Sequence, residues 1–424
     1  MIYFLYNIFV HSIGWLLIPV SWFHKKISLF LNGRKETFKK LHSIKETDTV
    51  IWFHCASLGE FEQGRPIIEK LQSQNSKATK KIKIVVTFFS PSGYEIRKNY
   101  EFADVVCYLP MDTKKNAKHF LDQIHPEMAI FVKYEFWPNI LKELSQRKIK
   151  TILVSGIFRK NQAFFKSGFN STFMKKSLRA FDYFFVQDTN SKKLLHKINF
   201  NNVCVSGDTR FDRVFEITKQ DNYLSFIEEF TQKKHVLVAG STWRKDEELL
   251  INYINNHATD NEKFIIAPHN ITDIDWLKNA FTKEVTLFSD TKKNNQASIF
   301  IVDTIGILTK VYSHAHVAYV GGGFGSGIHN ILEPATFGVP IIIGPKYQKF
   351  KEAIDLVRLK GCFVVHNNTD LTSILKQFKE NKDYSNNASQ TTKKYIKNSI
   401  GATKYIIDYI KKNSSILQTQ NHTN

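Results

Sequence analysis

Ile51-Trp-Phe-His-Cys-Ala-Ser-Leu-Gly-Glu60 reads as a buried strand that stops at a glycine turn and delivers a carboxylate to the first turn of a helix. A short strand without polar alternation is covered on both faces, as in a parallel sheet sandwiched by helices. Ligands of such sheets bind beyond the carboxyl ends of the strands. Glu60 therefore falls where chemistry is usually done, and the positive end of the helix favours its charge. A helix-start glutamate with no task is the competing reading of this segment taken alone.

The same alternation extends outward from this segment. Apolar runs predict strands at 50–55, 82–87, 105–108, 128–132, 151–154 and 183–187, and amphipathic stretches predict helices at 61–72, 117–124 and 139–146. The stretch from Asp208 to Lys234 is polar and interrupts the pattern. Strands then resume at 235–239, 264–267, 285–288, 299–302, 317–320, 339–343 and 363–365, with helices including 246–256 and 352–359. Residues 382–398 are polar, and 402–411 form a last amphipathic segment able to pack on either half. A chain of 424 residues exceeds one ordinary core. The expectation is an α/β protein of two doubly wound units facing a cleft. Its expected divisions are 1–36 (hydrophobic anchor and connector), 37–215, 216–412 and a disordered tail, 413–424.

The formal net charge of +20 favours anionic partners, although a chain rich in both Lys and Asn owes part of that excess to composition. No arginine-rich tract or zinc-type spacing supports a nucleic-acid module, so no nucleic acid is expected as a partner. The four cysteines, at 55, 107, 204 and 362, contain no C-x-x-C pair and read as buried free thiols. No metal site and no cofactor are expected. Ile2 to Phe23 is almost wholly apolar and aromatic, broken by Asn7, His11, Ser12 and Pro19 and followed by Lys25 and Lys26. It is about long enough to cross a bilayer and equally suited to lying in the interface; both readings stay open. The cations after it place the main body on the cytoplasmic side of the membrane.

Candidate ligand-binding residues gather at strand ends. Gly321-Gly-Gly-Phe-Gly-Ser-Gly327 follows an apolar strand, and Ile328 to Phe337 reads as a helix start. Glycines such as Gly321, Gly322 and Gly325 let backbone amides approach an anion. Asn330 and Glu333 share one face of the first turn, either to bond ribose hydroxyls or merely to cap the helix. Ser241, in the turn Ala239-Gly-Ser-Thr-Trp243, can donate to a phosphate or cap a helix. His269 ends a neighbouring strand, as a base or phosphate contact or a structural histidine. In the first half, Lys133-Tyr-Glu-Phe-Trp-Pro-Asn139 puts Lys133 and Glu135 at a strand end, and Ser90-Pro-Ser-Gly93 puts Ser92 in an anion site or a plain turn. The stretch from Phe158 to Arg179 mixes cations with aromatics, which suits an anionic lipid surface or a solvated basic helix.

Taken together, His54-Cys-Ala-Ser-Leu-Gly-Glu60, Ser90-Pro-Ser-Gly93, Glu135-Phe-Trp-Pro-Asn139, Ser206-Gly-Asp-Thr-Arg-Phe-Asp212, the run from Gly321 to Glu333, and Gly338-Val-Pro340 with Gly344-Pro345 resemble the 3-deoxy-D-manno-octulosonic acid (Kdo) transferase family in order and spacing. The resemblance implies a GT-B glycosyltransferase fold, CMP-Kdo as donor, a lipid A precursor as acceptor, and residence at the inner membrane. It implies that Glu60 is the general base of an inverting transfer and Glu135 a second essential carboxylate. By the same resemblance Gly321, Gly322, His329, Asn330 and Glu333 form the CMP site. Departures fall on Arg210, which keeps the family's cation and is expected to contact the donor phosphate, and its neighbours (the family often has Leu-Lys-Phe-Asp), on Ile328 in place of glycine, on Pro268 before His269, and on Lys349. A UDP-sugar enzyme acting on another lipid and a non-catalytic membrane-bound nucleotide sensor are the alternatives.

Overall fold

The computed structural model describes residues 2–75, 81–166, 168–290 and 293–414, without the side chains of residues 169 and 170. Residues 415–424, most of the expected tail, lie outside the described residues. The chain divides into two compact units, 1–212 with 400–424, and 213–399.

The first unit is built on seven strands: Thr49–Cys55 (β1), Ile82–Phe88 (β2), Val105–Tyr108 (β3), Met128–Val132 (β4), Lys150–Gly156 (β5), Tyr183–Val186 (β6) and Val203–Val205 (β7). They pair in the order β3-β2-β1-β4-β5-β6-β7, every pairing parallel. Successive side chains of a strand point to opposite faces, and two cores result. Trp52, Ala129 and Phe131 enter one core, with Phe120 and Leu141 from the helices that cover it. Ile51, Phe53, Ile130 and Val132 enter the other, under helix Leu58–Asn75. This two-sided burial is why β1 and β4 carry no polar alternation: every residue of both is buried.

The second unit repeats the plan with His235–Thr242 (β8), Glu262–Pro268 (β9), Val285–Leu287 (β10), Ile299–Ile301 (β11), Val317–Val320 (β12), Ile341–Ile343 (β13) and Cys362–Val364 (β14). Their order is β10-β11-β9-β8-β12-β13-β14, again all parallel.

The structure departs from the sequence reading in several places. The polar interruption at 208–234 contains helices Thr209–Ile217 and Ser225–Thr231. The polar stretch beyond residue 381 is a single helix, Lys382–Ser399, held by Ala388, Thr392 and Ile396, a buried stripe at four-residue spacing. The expected helix start at Ile328 comes later and is short, Leu332–Thr336. The last helix, Ala402–Asn413, was expected within the second domain to residue 412. It instead buries Ile406, Ile407 and Ile410 in the first unit's core beside helix Leu58–Asn75. Residues 213–215, expected in the first domain, belong to the second unit.

Ending the chain at Ile400 should uncover that core face. Three isoleucines at about 1.5–3 kcal/mol each predict a loss of roughly 5–9 kcal/mol, read as a fall in the first unit's thermal transition.

Candidate functional site

Each sheet changes winding direction once, between β1 and β4 in the first unit and between β8 and β12 in the second. Crevices open beyond the carboxyl ends of strands at such reversals. The candidate residues of each unit collect there.

In the first unit, the turn after β1 delivers Glu60 to the first turn of helix Leu58–Asn75, where it is buried. The Ser57 hydroxyl donates to Glu60 Oε2, and Lys133, the residue after β4, brings its Nζ to 3.4 Å from Glu60 Oε1. Lys133 has φ +74°, a left-handed conformation that a non-glycine residue adopts only under constraint. Two residues on, Glu135 Oε2 accepts from Trp137 Nε1 at 3.1 Å and lies 3.5 Å from His54 Nε2. His54 is wholly buried on β1. Its Nε2 lies 3.0 Å from Trp137 Nε1 and its Nδ1 2.9 Å from Thr87 Oγ1, which also receives the Trp52 indole N–H at 2.9 Å. An indole nitrogen only donates, so His54 Nε2 accepts from Trp137. A Thr–His–Trp line thus runs from β2 through β1 to the Glu135 carboxylate.

The Ser90–Gly93 turn is tied to the Glu60 turn. Ser90 N donates to Ala56 O at 2.8 Å, and a Cβ on Gly93 would stand 3.0 Å from Leu58 N. Ser92 is exposed at this turn, its hydroxyl 2.7 Å from that of Ser90. Asp112, in the loop after β3, caps the helix that follows the Glu135 segment. Its carboxylate accepts Asn139 N at 3.0 Å, Ile140 N at 2.9 Å and the Tyr6 hydroxyl at 2.6 Å. Arg210, expected among the donor contacts, belongs to the first unit. It grips Asp208 with Nε at 3.0 Å and Nη2 at 2.8 Å, while Gln63 holds the same oxygen at 2.9 Å. Burial pushes the Asp208 carboxyl up, but Arg210 and the hydrogen bonds outweigh it and leave it below the usual carboxylate range.

In the second unit, Ser241, the penultimate residue of β8, has φ +53°. Opposite it, the loop after β12 passes so close that a Cβ on Gly321 would stand 2.3 Å from Ser241 O. Gly322 has φ +94°. Asp246, fully buried in the first turn of helix Arg244–Asn256, fastens this loop: it accepts Gly322 N at 2.9 Å, the Tyr319 hydroxyl at 2.8 Å and Trp243 N at 2.9 Å. Trp243 stacks on His269 with ring centroids 4.4 Å apart, and His269 lies 4.7 Å from the His329 ring. Trp243 Nε1 donates to His329 Nε2 at 2.9 Å. Burial, then the neighbouring His269, lowers the His329 pKa, so its ring is neutral and accepts. Asn330 Nδ2 reaches Glu333 Oε1 at 3.0 Å, and the Thr309 hydroxyl reaches Glu333 Oε2 at 2.8 Å. Gly325 closes the loop through its N–H to Gly322 O at 2.9 Å. A cavity of about 150 Å³ opens beside the Ser241 turn, lined by Thr242, Trp243, Glu247, Pro268 and Asn270 among others.

Within its own unit, then, each strand-end cluster holds the residues expected of it: Glu60, Glu135 and Ser92 in the first, and Ser241, His269, Gly321, Gly322, Gly325, His329, Asn330 and Glu333 in the second. Arg210 belongs to the first unit, not to the unit that holds the second group. Sequence reasoning passed over Trp243, Asp246 and the bonding role of His54. Trp243 lay in the quoted turn next to Ser241, and Asp246 three residues beyond it is the spacing of a capping residue.

A family model described as 3-deoxy-D-manno-octulosonic-acid transferase (kdotransferase) matches residues 32–213. A bifunctional glycosyltransferase/methyltransferase of Fusobacterium nucleatum is 27% identical over 85% of this chain, which spans 57% of that relative's length. The 3-deoxy-D-manno-octulosonic acid transferase of Aquifex aeolicus is 26% identical over 81% of this chain and 89% of its own. That of Rickettsia bellii is 22% identical over 96% of both. Among solved structures, a UDP-GlcNAc 2-epimerase from Neisseria meningitidis aligns with TM-score 0.58 and 14% identity over 87% of this chain and 100% of its own. Acinetobacter baumannii MurG aligns with TM-score 0.53 and 12% identity over 86% and 99%. These likenesses show the fold, a pair of Rossmann-like units of the GT-B class.

Burial pushes the Asp112 carboxyl up to about 6, against the opposing hydrogen bonds from Tyr6, Asn139 and Ile140. Unfolded, an aspartate titrates near 3.9. Between about pH 6 and 4 the folded chain therefore binds the extra proton, and this group's contribution to stability rises as pH falls. Asp112→Asn should remove that contribution, read from urea unfolding at pH 7 and pH 5.

Asp246→Ala should strip the Gly322 amide and Tyr319 hydroxyl of their buried acceptor. At about 1–3 kcal/mol for each orphaned group, roughly 2–6 kcal/mol of stability is lost, measured by the same unfolding assay.

Proposed function

We propose that this chain, which belongs to the 3-deoxy-D-manno-octulosonic acid transferase family and is a glycosyltransferase, moves Kdo from CMP-Kdo to a lipid A precursor with inversion at the anomeric carbon. The observation that carries the reading is the Glu60 carboxylate, buried at a strand reversal and oriented by Ser57 and Lys133.

Glu60 takes the proton of the acceptor hydroxyl as its oxygen bonds to the anomeric carbon. The bond from that carbon to the donor phosphate breaks, and its electron pair leaves with CMP. Lys133 balances the Glu60 charge while no acceptor is bound. Glu135, fixed by Trp137 and His54, orients the acceptor. In the second unit, amides of the Gly321–Gly325 loop and the Ser241 turn receive the phosphate, since backbone N–H groups aimed at a growing negative charge stabilise it as it forms. The Trp243–His269 stack offers a flat ring surface to the base, and Asn330 and Glu333 offer acceptors to ribose hydroxyls. The enzyme works at the inner membrane with both units on the cytoplasmic side, where Lys25 and Lys26 meet anionic headgroups.

Glu60→Gln should lower transfer by about 10²–10⁴-fold while CMP binding and the melting temperature hold. CMP release and product masses with CMP-Kdo and a tetraacylated lipid A precursor provide the assay. Full activity of the variant would remove Glu60 from the mechanism. Turnover with UDP-sugars and none with CMP-Kdo would overturn the donor.

A further inference from the structure

The N-terminal helix, Ile2–Ser21, is long and apolar enough to cross a bilayer by length and composition. Its contacts with the first unit say otherwise. Exposure along it follows a helical stripe. The pairs Phe4 and Leu5, Ile8 and Phe9, and Trp15 and Leu16 are exposed, whereas Tyr3, Tyr6, Asn7, Val10, Ile13 and Leu17 turn inward. The inward stripe carries Tyr3, Tyr6 and Asn7, which bond to the first unit, while His11 and Ser12 face outward. The Tyr3 hydroxyl donates to Asn139 Oδ1, the Tyr6 hydroxyl reaches Asp112 at 2.6 Å, and Asn139 Nδ2 donates to Asn7 Oδ1 at 3.2 Å. The rings of Tyr3 and Tyr6 lie 6.1 and 5.9 Å from Phe173. Ile2 and Tyr3 wall a cavity of about 630 Å³ with Leu141, Lys142 and Lys176, and residues from Phe4 to Ser12 wall another with Lys114 and Lys115.

The far end is tied to the same unit. Helix Lys25–Lys35 follows after a three-residue turn and returns the chain to the sheet. There Arg34 is buried, donates to Phe89 O at 2.8 Å and stacks on Phe30, with its Cζ 3.6 Å from the ring centroid. Past Ser12 only residues 13–21 of this helix are free of the two cavities, about 14 Å of helix. The hydrocarbon core is about 30 Å thick. An upright insertion would also drive exposed Lys25 and Lys26 into the acyl region first.

The geometry points to a helix that lies flat in one leaflet, with its exposed stripe in the interfacial region of an anionic bilayer and its inner stripe bonded to the first unit. Trp22 and Phe23, 76% and 84% exposed, continue the apolar surface into the turn that follows the helix. Exposed Lys25, Lys26, Lys114 and Lys115 flank it and match anionic headgroups. This placement is independent of which sugar nucleotide the enzyme uses.

The test uses the full chain in sealed vesicles of phosphatidylglycerol and phosphatidylethanolamine. Nitroxide labels at Leu5→Cys, Phe9→Cys and Leu16→Cys, in a Cys204→Ser background, report depth by oxygen and nickel-chelate accessibility. A flat helix puts all three at one depth, about 5–10 Å into the headgroup–acyl boundary. A spanning helix makes depth change steadily by up to about 16 Å from residue 5 to residue 16, which would overturn the proposal. Water-exposed labels, or labels coupled to those of a second copy, would overturn it as well. The double variant Phe9→Glu, Leu16→Glu should lose at least about tenfold in vesicle affinity while its melting temperature holds. Undiminished vesicle binding would refute the apolar stripe as the contact.

Discussion

In each sheet of this protein the connections that follow a central pair of strands leave in opposite directions, and that reversal fixes where the strand-end clusters form. Beyond β1 and β4, and again beyond β8 and β12, neighbouring connections leave toward opposite faces, and side chains from two turns can meet over the strand ends. The first residue after β4, Lys133, and the penultimate residue of β8, Ser241, both hold positive φ without being glycine. Such conformations cost on the order of 1–3 kcal/mol. A glycine at 133 would relieve the strain but would lose the ammonium that faces Glu60. The strain and the ion pair are two aspects of one requirement: a cation must leave the end of β4 toward the carboxylate that follows β1.

The second unit meets a different demand with the same topology. Its Gly321–Gly325 loop must bring amides close to the β8 turn, and only a backbone without Cβ fits so near Ser241 O. Glycine freedom alone would leave that loop loose. Asp246 counters it by accepting from the loop, from β12 and from its own helix start at once. These bonds hold the loop in the conformation that its amides need.

The strands of both sheets were legible because burial on two faces favours near-continuous apolar runs, as in Val50 to Phe53. The three-residue strand Val203–Val205 escaped notice: it is an edge, and Val205 is exposed. Helix Lys382–Ser399 escaped because its buried stripe is Ala388, Thr392 and Ile396, too little apolar surface to show a period. Helix Ala402–Asn413 was read correctly as amphipathic, but its isoleucines fit either core and only tertiary packing chooses between them. At the candidate site, Glu60 and the glycine loop announced themselves by position after a strand. His54 and Asp246 did not, because their meaning lies in partners 33 to 83 and 73 to 76 residues away.

One further chain of bonds joins the N-terminal helix to the Glu135 segment. The Tyr6 hydroxyl donates to Asp112, and Asp112 accepts the first free amides of the helix beginning at Pro138. Those amides have no partner inside their own helix, and the Trp137 side chain makes no cap there. The Asp112 carboxylate therefore stands in for the missing cap, and it is held on its other side by the anchoring helix. Immediately before this helix lie Glu135 and Trp137, whose positions are set from below by His54 and Thr87. The segment is thus clamped twice, once from the core through a buried imidazole and once from the N-terminal helix through a buried carboxylate.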